Sequence, residues 1–325
     1  MQTLYPLRFK PIFKEKIWGG QRLGTVLNRR ISKEKKIGES WEISSLKGNI
    51  SVVSNGFLKG NNLQELIEIY MGNLVGEKVY LKYGIEFPLL VKFIDANDLL
   101  SLQVHPDDAL AMKRHHAYGK TEMWYIIESA KDSKLVAGFN RKISVNEFLK
   151  SLDEGSVSDL LNYEVVNPSD VFYIPAGRIH STGAGILLAE VQQSSDITYR
   201  VYDWGRNENG KPRELHTKLA IDVIDYNFYS NYRTDYKVIP NKPSKIIECS
   251  YFTSNILDLS SEINLNYEYL DSFVIYICVN GSCSLNYNGT SELLKQGDTI
   301  LIPAELNEID LMPTPSVRIL EFYIS

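Results

Sequence analysis

Two stretches of this chain repeat one short pattern, and that repeat restricts the fold more than any bulk property. Asp170-Val-Phe-Tyr-Ile-Pro-Ala176 and Asp298-Thr-Ile-Leu-Ile-Pro-Ala304 share the form Asp-x-x-x-Ile-Pro-Ala. In each, a turn carrying an aspartate feeds a short run of β-branched and aromatic residues, which is strand chemistry. The closing proline has no N–H for a sheet ladder, so it ends the run. One copy late in each half predicts two related β-barrels. Beyond the alanine the two copies diverge. The first continues through Gly177 and Arg178 to His180, whereas no histidine comes after His216. A strand, a Pro-x-Gly turn and a histidine on the returning strand can aim an imidazole into a barrel. The second unit is therefore expected to be structural.

With 325 residues the chain is long enough for two medium domains with real cores. Twenty tyrosines among many Ile, Val and Phe favour strands, so the expected class is mainly β with a few packing helices. Leu63, Leu66, Ile67 and Tyr70 recur at helical spacing within 61–71 after an asparagine cap. Ser144-x-x-Glu147 predicts a capping box for a helix over 144–152, and 219–224 is a third candidate. The expected division is a metal-binding unit over 1–205, a connecting segment over 206–244 rich in Asn, Gly, Pro and Lys, and a metal-free unit over 245–325. That last unit carries the hairpin signals Asn280-Gly281 and Asn288-Gly289.

A net charge of -5 leaves no basic footprint for nucleic acid, yet a local group of Lys and Arg can still receive a small anion. No apolar run approaches membrane-spanning length and the start lacks a leader pattern, so no membrane partner and a cytoplasmic location are expected. Cys249, Cys278 and Cys283 are odd in number and confined to the last third, which suits reduced core residues better than a disulfide frame. Oligomeric state is left open by the sequence.

The residues capable of chemistry cluster in the first 206 positions. In Leu102-Gln-Val-His-Pro106, strand alternation puts Gln103 and His105 on one face, and Pro106 places His105 at the strand's end. In Gly119-Lys-Thr-Glu-Met-Trp-Tyr125, Lys120 and Glu122 share a face at the start of an aromatic strand, where an unpaired carboxylate is costly unless it meets a cation. Gln103, His105, Glu122 and His180 together offer two imidazoles, a carboxylate and an amide oxygen without thiolate. That set suits zinc and tolerates manganese, iron or cobalt; the alternative is a pair of satisfied barrel histidines. His115, His116 and His216 read as surface or structural residues. Glu190, Asp196, Arg200 and Arg206 bring two acids and two guanidiniums into one short span, either as a salt-bridge lattice or as an anion- and hydroxyl-binding floor. If the span is a strand, Asp196 and Arg200 share a face.

Taken together, Ser101-Leu-Gln-Val-His-Pro-Asp107, Gly119-Lys-Thr-Glu-Met-Trp-Tyr125, Val171-Phe-Tyr-Ile-Pro-Ala-Gly-Arg-Ile-His-Ser181 and Gln192-Gln-Ser-Ser-Asp-Ile-Thr-Tyr-Arg-Val-Tyr-Asp-Trp204 resemble the type I mannose-6-phosphate isomerases. Lys16-Ile-Trp-Gly-Gly20 and Gly38-Glu-Ser-Trp-Glu42 fit the same family. The resemblance implies two cupin (jelly-roll) barrels, one zinc ion per chain on Gln103, His105, Glu122 and His180, and a phosphorylated hexose as substrate. It implies Arg200 as the catalytic arginine, with Glu190 and Asp196 as acid–base or positioning groups; a zinc-bound water is a further candidate base, and Lys120, otherwise a substrate contact, could shuttle a proton if burial lowers its pKa. Lys92, Ser101 and Arg206 are implied as substrate or phosphate contacts. The short interval from Glu122 to His180 has no room for the helical insertion of longer members and resembles the short bacterial form. Ordinary cupins use a His-x-His pair, whereas Gln103 holds the first position here. The implied reaction interconverts mannose 6-phosphate and fructose 6-phosphate through an enediolate. A metal-dependent cupin oxygenase and a non-enzymatic sugar-binding cupin are the alternatives.

Overall fold

The structure, a computed structural model, describes residues 3–208 and 210–325. Met1 and Gln2, at the start where a leader would lie, and Asn209, inside the connecting segment, fall outside them. Eleven strands build the first half: β1 (Ile12–Gly20), β2 (Ile37–Ile43), β3 (Leu89–Ala96), β4 (Leu102–Val104), β5 (Glu122–Ser129), β6 (Lys134–Phe139), β7 (Leu161–Val165), β8 (Val171–Ile174), β9 (His180–Ser181), β10 (Ile186–Gln193) and β11 (Tyr199–Tyr202). They form a six-stranded sheet in the order β1-β2-β3-β10-β5-β8 and a five-stranded sheet in the order β11-β4-β9-β6-β7. The second half is a seven-stranded antiparallel sheet between Ser244 and Tyr323.

The protein is mainly β, as its composition predicts. The barrels expected from the repeat appear in a coarser form, because among the described residues no sheet closes on itself by strand pairing. Instead three sheets stack. One face of the six-stranded sheet (Ile94, Trp124, Ile126, Phe172 and Leu188) packs on Leu135 and Ala137 of the five-stranded sheet. Its other face (Val91, Phe93, Met123, Tyr125 and Val191) packs on Ile256, Ile275, Ile277, Leu320 and Phe322 of the C-terminal sheet. Every residue of β3 and β10 is consequently buried, with no polar-out alternation.

The Pro-x-Gly turn does something a hairpin would not. β8 belongs to the six-stranded sheet and β9 to the five-stranded one, so the turn carries the chain across the sandwich and delivers His180 to the opposite wall. Gly177 makes this possible at φ +88°, where a Cβ would also meet the Val223 carbonyl oxygen at 2.9 Å. In the second copy, the turn after Ile302 binds back to the N-terminal half, Ala304 N donating to Leu74 O at 3.0 Å.

The helix over 63–70 carries the expected cap in reciprocal form, Asn62 and Glu65 each accepting from the other's backbone. Ser144 caps the Val145–Asp153 helix, but Glu147 turns outward to Arg141, so the box is half formed. The third candidate shifts forward to Thr217–Ala220. Sequence periodicity missed the Asp108–His115 helix, whose low amphipathicity reflects a face lying on the protein surface; Ala111 is its buried residue. The connecting segment is laced to the first half. Tyr232 donates its hydroxyl to Phe139 O at 2.9 Å and Thr234 N donates to Val171 O at 2.8 Å. No helix among the described residues is long and apolar enough to cross a membrane.

Candidate metal centre

Strand parity brings the candidate residues to one place. On the six-stranded sheet, Glu190 of β10 lies directly between Lys92 of β3 and Trp124 of β5, and Gln192 pairs with Glu122. All five point into the sandwich, because they occupy even positions on strands whose odd positions face the C-terminal sheet. On the facing sheet, one row runs Arg200, Gln103, His180 and Ala137 across β11, β4, β9 and β6. His105 comes one residue after β4. Two rows from opposite walls therefore meet in the interior.

The donor atoms of His105, Glu122 and His180 all lie within 4.8 Å of one another, and all three residues are buried. Glu122 Oε1 is 3.3 Å from His180 Nε2, and Glu122 Oε2 is 3.6 Å from His105 Nε2. Each imidazole turns Nδ1 to a backbone carbonyl, His105 to Ile197 O at 2.9 Å and His180 to Arg178 O at 2.8 Å. That contact puts the proton on Nδ1 and leaves the Nε2 lone pair facing the cluster, the tautomer a metal requires. Burial holds both imidazoles below their ordinary pKa, His180 at about 3, so they are neutral donors. Burial also pushes the Glu122 carboxyl far above its usual range, although Lys120 opposes that shift.

These residues fit a divalent cation. Among the described residues, Glu122 Oε1, Glu122 Oε2 and His180 Nε2 are buried without a hydrogen-bond partner, a costly state that coordination relieves. Lys120 packs against the cluster, its Nζ 3.0 Å from His105 Nε2 and 3.0 Å from Glu122 Oε2, the latter contact outside hydrogen-bond geometry. Gln103 adds an amide on the same row and lines the adjoining cleft.

That cleft, of about 340 Å³, is also lined by Ser101, Lys92, Lys120, Glu190, Asp196 and Arg200. Lys92 is already engaged, its ammonium 2.9 Å from Glu190 Oε2 and donating to Gln192 Oε1 at 2.6 Å. For Glu190, burial is outweighed by Lys92, Lys120 and a 2.9 Å bond from Trp124 Nε1, which together hold the carboxyl at about 2. Asp196 is exposed and lies on the loop before β11, so the strand register that would pair it with Arg200 is absent. Arg206 is tied to Asp203 and to the Leu99 carbonyl and does not line the cleft. Its place in the lining is taken by Arg213, which grips the same Asp203 carboxylate through Nε and Nη2. Lys16, Glu39 and Trp41 complete the opposite wall. Sequence reasoning did not single out Arg213 or Lys16 as site residues, although Lys16 opens the Lys16-Ile-Trp-Gly-Gly20 motif. Arg213 lies in a polar loop with no periodicity to mark it. His115 bonds Tyr199 outside the cluster, and His216 Nδ1 accepts from Arg200 N at 3.2 Å.

A family model described as phosphomannose isomerase type I, catalytic domain, matches residues 6–131, and one described as mannose-6-phosphate isomerase, cupin domain, matches residues 242–316. The chain is 36% identical over 320 residues to the mannose-6-phosphate isomerase ManA of Bacillus subtilis, a match spanning 95% of this chain and 96% of the relative. It is 33% identical over 300 residues to the mannose-6-phosphate isomerase of Streptococcus mutans, with 92% of each covered. Among solved structures, the mannose 6-phosphate isomerase from Bacillus subtilis superposes with a TM-score of 0.88 at 32% identity, covering 98% of this chain and 99% of that one.

Proposed function

The chain belongs to the type I mannose-6-phosphate isomerase family, and from that premise we propose that it interconverts mannose 6-phosphate and fructose 6-phosphate by proton transfer between C2 and C1. The observation that carries this reading is the buried His105–Glu122–His180 cluster opening on a cleft that holds Lys120 and Arg200. We propose a jelly-roll topology for both halves. The facing sheets support it in the first, and the cupin-domain match over 242–316 supports it in the second.

His105, Glu122, His180 and Gln103 would hold one zinc ion, which supplies electrophilic polarisation of the sugar's carbonyl oxygen when bound. The other steps fall to the chain's own side chains. A proton α to a carbonyl leaves only if the enediolate oxygen it creates is stabilised, and Arg200 is the fixed cation for that charge. Its guanidinium donates Nη1 to Glu214 O at 2.9 Å, while Nε is buried and without a partner among the described residues, with capacity left for substrate. Lys120 reaches the coordination donors themselves, so we assign it the proton that moves between the two carbons: the amine accepts from one and the ammonium returns to the other. Glu190, clamped by Lys92 and held below its ordinary value by Lys92, Lys120 and Trp124, orients sugar hydroxyls as an acceptor. Asp196, at the exposed mouth, and Ser101 bind the sugar chain. Lys92 shapes this floor by fixing Glu190. For the phosphate, Arg213 in the lining takes the part that the sequence suggested for Arg206, which acts through their shared partner Asp203.

The test is a coupled assay for fructose 6-phosphate formed from mannose 6-phosphate by the metal-loaded chain, repeated after chelation. Turnover that is present when loaded and lost on chelation is expected. A loaded chain that binds the sugar phosphate without converting it would leave only a binding role.

A further inference from the structure

The backbone around Lys120 is held with unusual completeness. Three consecutive amides are each bound: Gly119 N to Asp108 Oδ1 at 2.8 Å, Lys120 N to Pro106 O at 3.0 Å, and Thr121 N to Gln193 Oε1 at 2.9 Å. Gln193 closes a ring on Thr121, because its own N donates to Thr121 O at 3.1 Å. The Gln193 amide then donates Nε2 to Asp108 Oδ1 at 2.9 Å, and Tyr251 donates its hydroxyl to Asp108 Oδ2 at 3.0 Å. Burial and the Asp108 contact push the Tyr251 hydroxyl up to about 12, so it stays a donor across neutral pH. One carboxylate thus collects three donors from the turn before Lys120, from the end of β10, and from the C-terminal half.

Packing alone does not enforce this arrangement. A cavity of about 360 Å³ lies against Asp108, Gln193 and Tyr251, so hydrogen bonds, rather than surrounding atoms, fix these side chains. At Gly119 the chain passes so near the Asp107 carbonyl carbon that a Cβ would sit 2.6 Å from it. The turn is therefore pinned to the helix start on one side and to the relay on the other.

We propose that Asp108, Gln193 and Tyr251 form a positioning relay through which the C-terminal half sets the placement of Lys120 beside the metal donors. None of the three lines the cleft with Lys120, so all act through the backbone of residues 119–121. The relay gives the C-terminal half a part in turnover that its own lack of histidine does not provide. Its kinetic consequence rests on the proposed isomerase activity; its structural consequence does not.

The metal-loaded chain and three variants test it. Because misplacement of a catalytic group by a fraction of an ångström is costly, Q193E, which sets two carboxylates against each other, is expected to lower kcat by about 10- to 100-fold with KM and metal content unchanged. Adding D108N lets an amide nitrogen, placed where Oδ1 stands, donate to the carboxylate introduced at 193, which removes the repulsion while giving up the acceptor for Gly119 N. The D108N/Q193E double variant is expected to turn over at least about threefold faster than Q193E without reaching wild type, a non-additive rescue that a merely structural role would not give. Y251F, which removes one hydroxyl, is expected to reduce kcat by about 3- to 10-fold at constant KM, as one charge-assisted hydrogen bond would. Wild-type kcat in Q193E, or a double variant no better than Q193E, overturns the proposal. Amide exchange gives a readout independent of turnover: Gly119 and Thr121 should exchange about tenfold faster in Y251F than in wild type, while amides within β10 stay unchanged. Equal rates there also overturn it. A wild-type chain that fails to isomerise the sugar phosphate would refute the activity, and the exchange comparison would still decide the relay.

Discussion

At the scale of single residues, the site combines groups with opposite demands. In the proposed reading, Glu122 and the two imidazoles hold a cation, while Arg200 meets an anion that exists only during reaction. Burial, with Arg213 nearby, holds the Arg200 guanidinium somewhat below its ordinary value, yet it remains charged at any working pH. Arg200→Ala is expected to keep the fold and full metal content while kcat falls about 10²- to 10³-fold, the usual cost of removing one preorganised donor. Near-normal turnover would take Arg200 out of the mechanism. His180→Ala should do the reverse and lose the metal, since it removes one of three converging donors and the anchor at Arg178 O. Metal analysis showing undiminished occupancy would refute its role as ligand. Residue identity was the most legible level. Glu122 and His180 each have a bland reading alone, a Lys–Glu surface pair and a satisfied barrel histidine, and were picked out because they complete one donor set with Gln103 and His105.

At the scale of elements, short loops set what the strands cannot. The loop after β11 is clamped by Asp203, which accepts from both Arg206 and Arg213. Burial would raise the Asp203 carboxyl, but the two guanidiniums outweigh it and hold it below the usual value of 3.8. A depressed folded-state pKa means the clamp stabilises above the unfolded-state value and loses that contribution as pH falls through the folded-state one. Asp203→Asn should therefore lower the Tm at pH 7, with the gap narrowing progressively below about pH 5. A gap independent of pH would show that charge is not what the clamp uses. This loop illustrates why elements were only partly readable. Helices with a capped apolar stripe, such as Leu63–Tyr70, announce themselves, whereas the Asp108–His115 helix exposes most of its length and carries no stripe. Arg213 was likewise invisible, because a loop has no period from which to infer the direction of a side chain.

At the scale of the whole molecule, the six-stranded sheet is an interior layer. Phe93, Met123 and Tyr125 face Phe322 and Ile275 of the C-terminal half, and Ser254 contacts Met123 Sδ across the same seam. A chain ending at residue 241 would uncover that face. It is expected to aggregate or to bind a hydrophobic dye strongly, with solubility restored when residues 242–325 are supplied in trans. A monomeric, dye-silent fragment would mean that the seam contributes little. Phe322→Ala in the full chain should cost about 3–5 kcal/mol of unfolding free energy, measured by denaturant titration.

The sequence by itself determined the mainly β composition, the two Asp-x-x-x-Ile-Pro-Ala turns, and the identity of the four candidate ligands. Each comes from local chemistry: β-branched runs, a proline that ends a ladder, and polar groups too costly to bury without partners. Only the tertiary structure decided that β8 and β9 lie on opposite sheets, that Glu190 is already clamped by Lys92, and that Arg213 reaches the cleft. The same holds for the contact of Tyr251, from the far half, with Asp108 beside the turn that carries Lys120. Those facts depend on which surfaces meet in the folded chain, and no local spacing encodes which two faces will pack together.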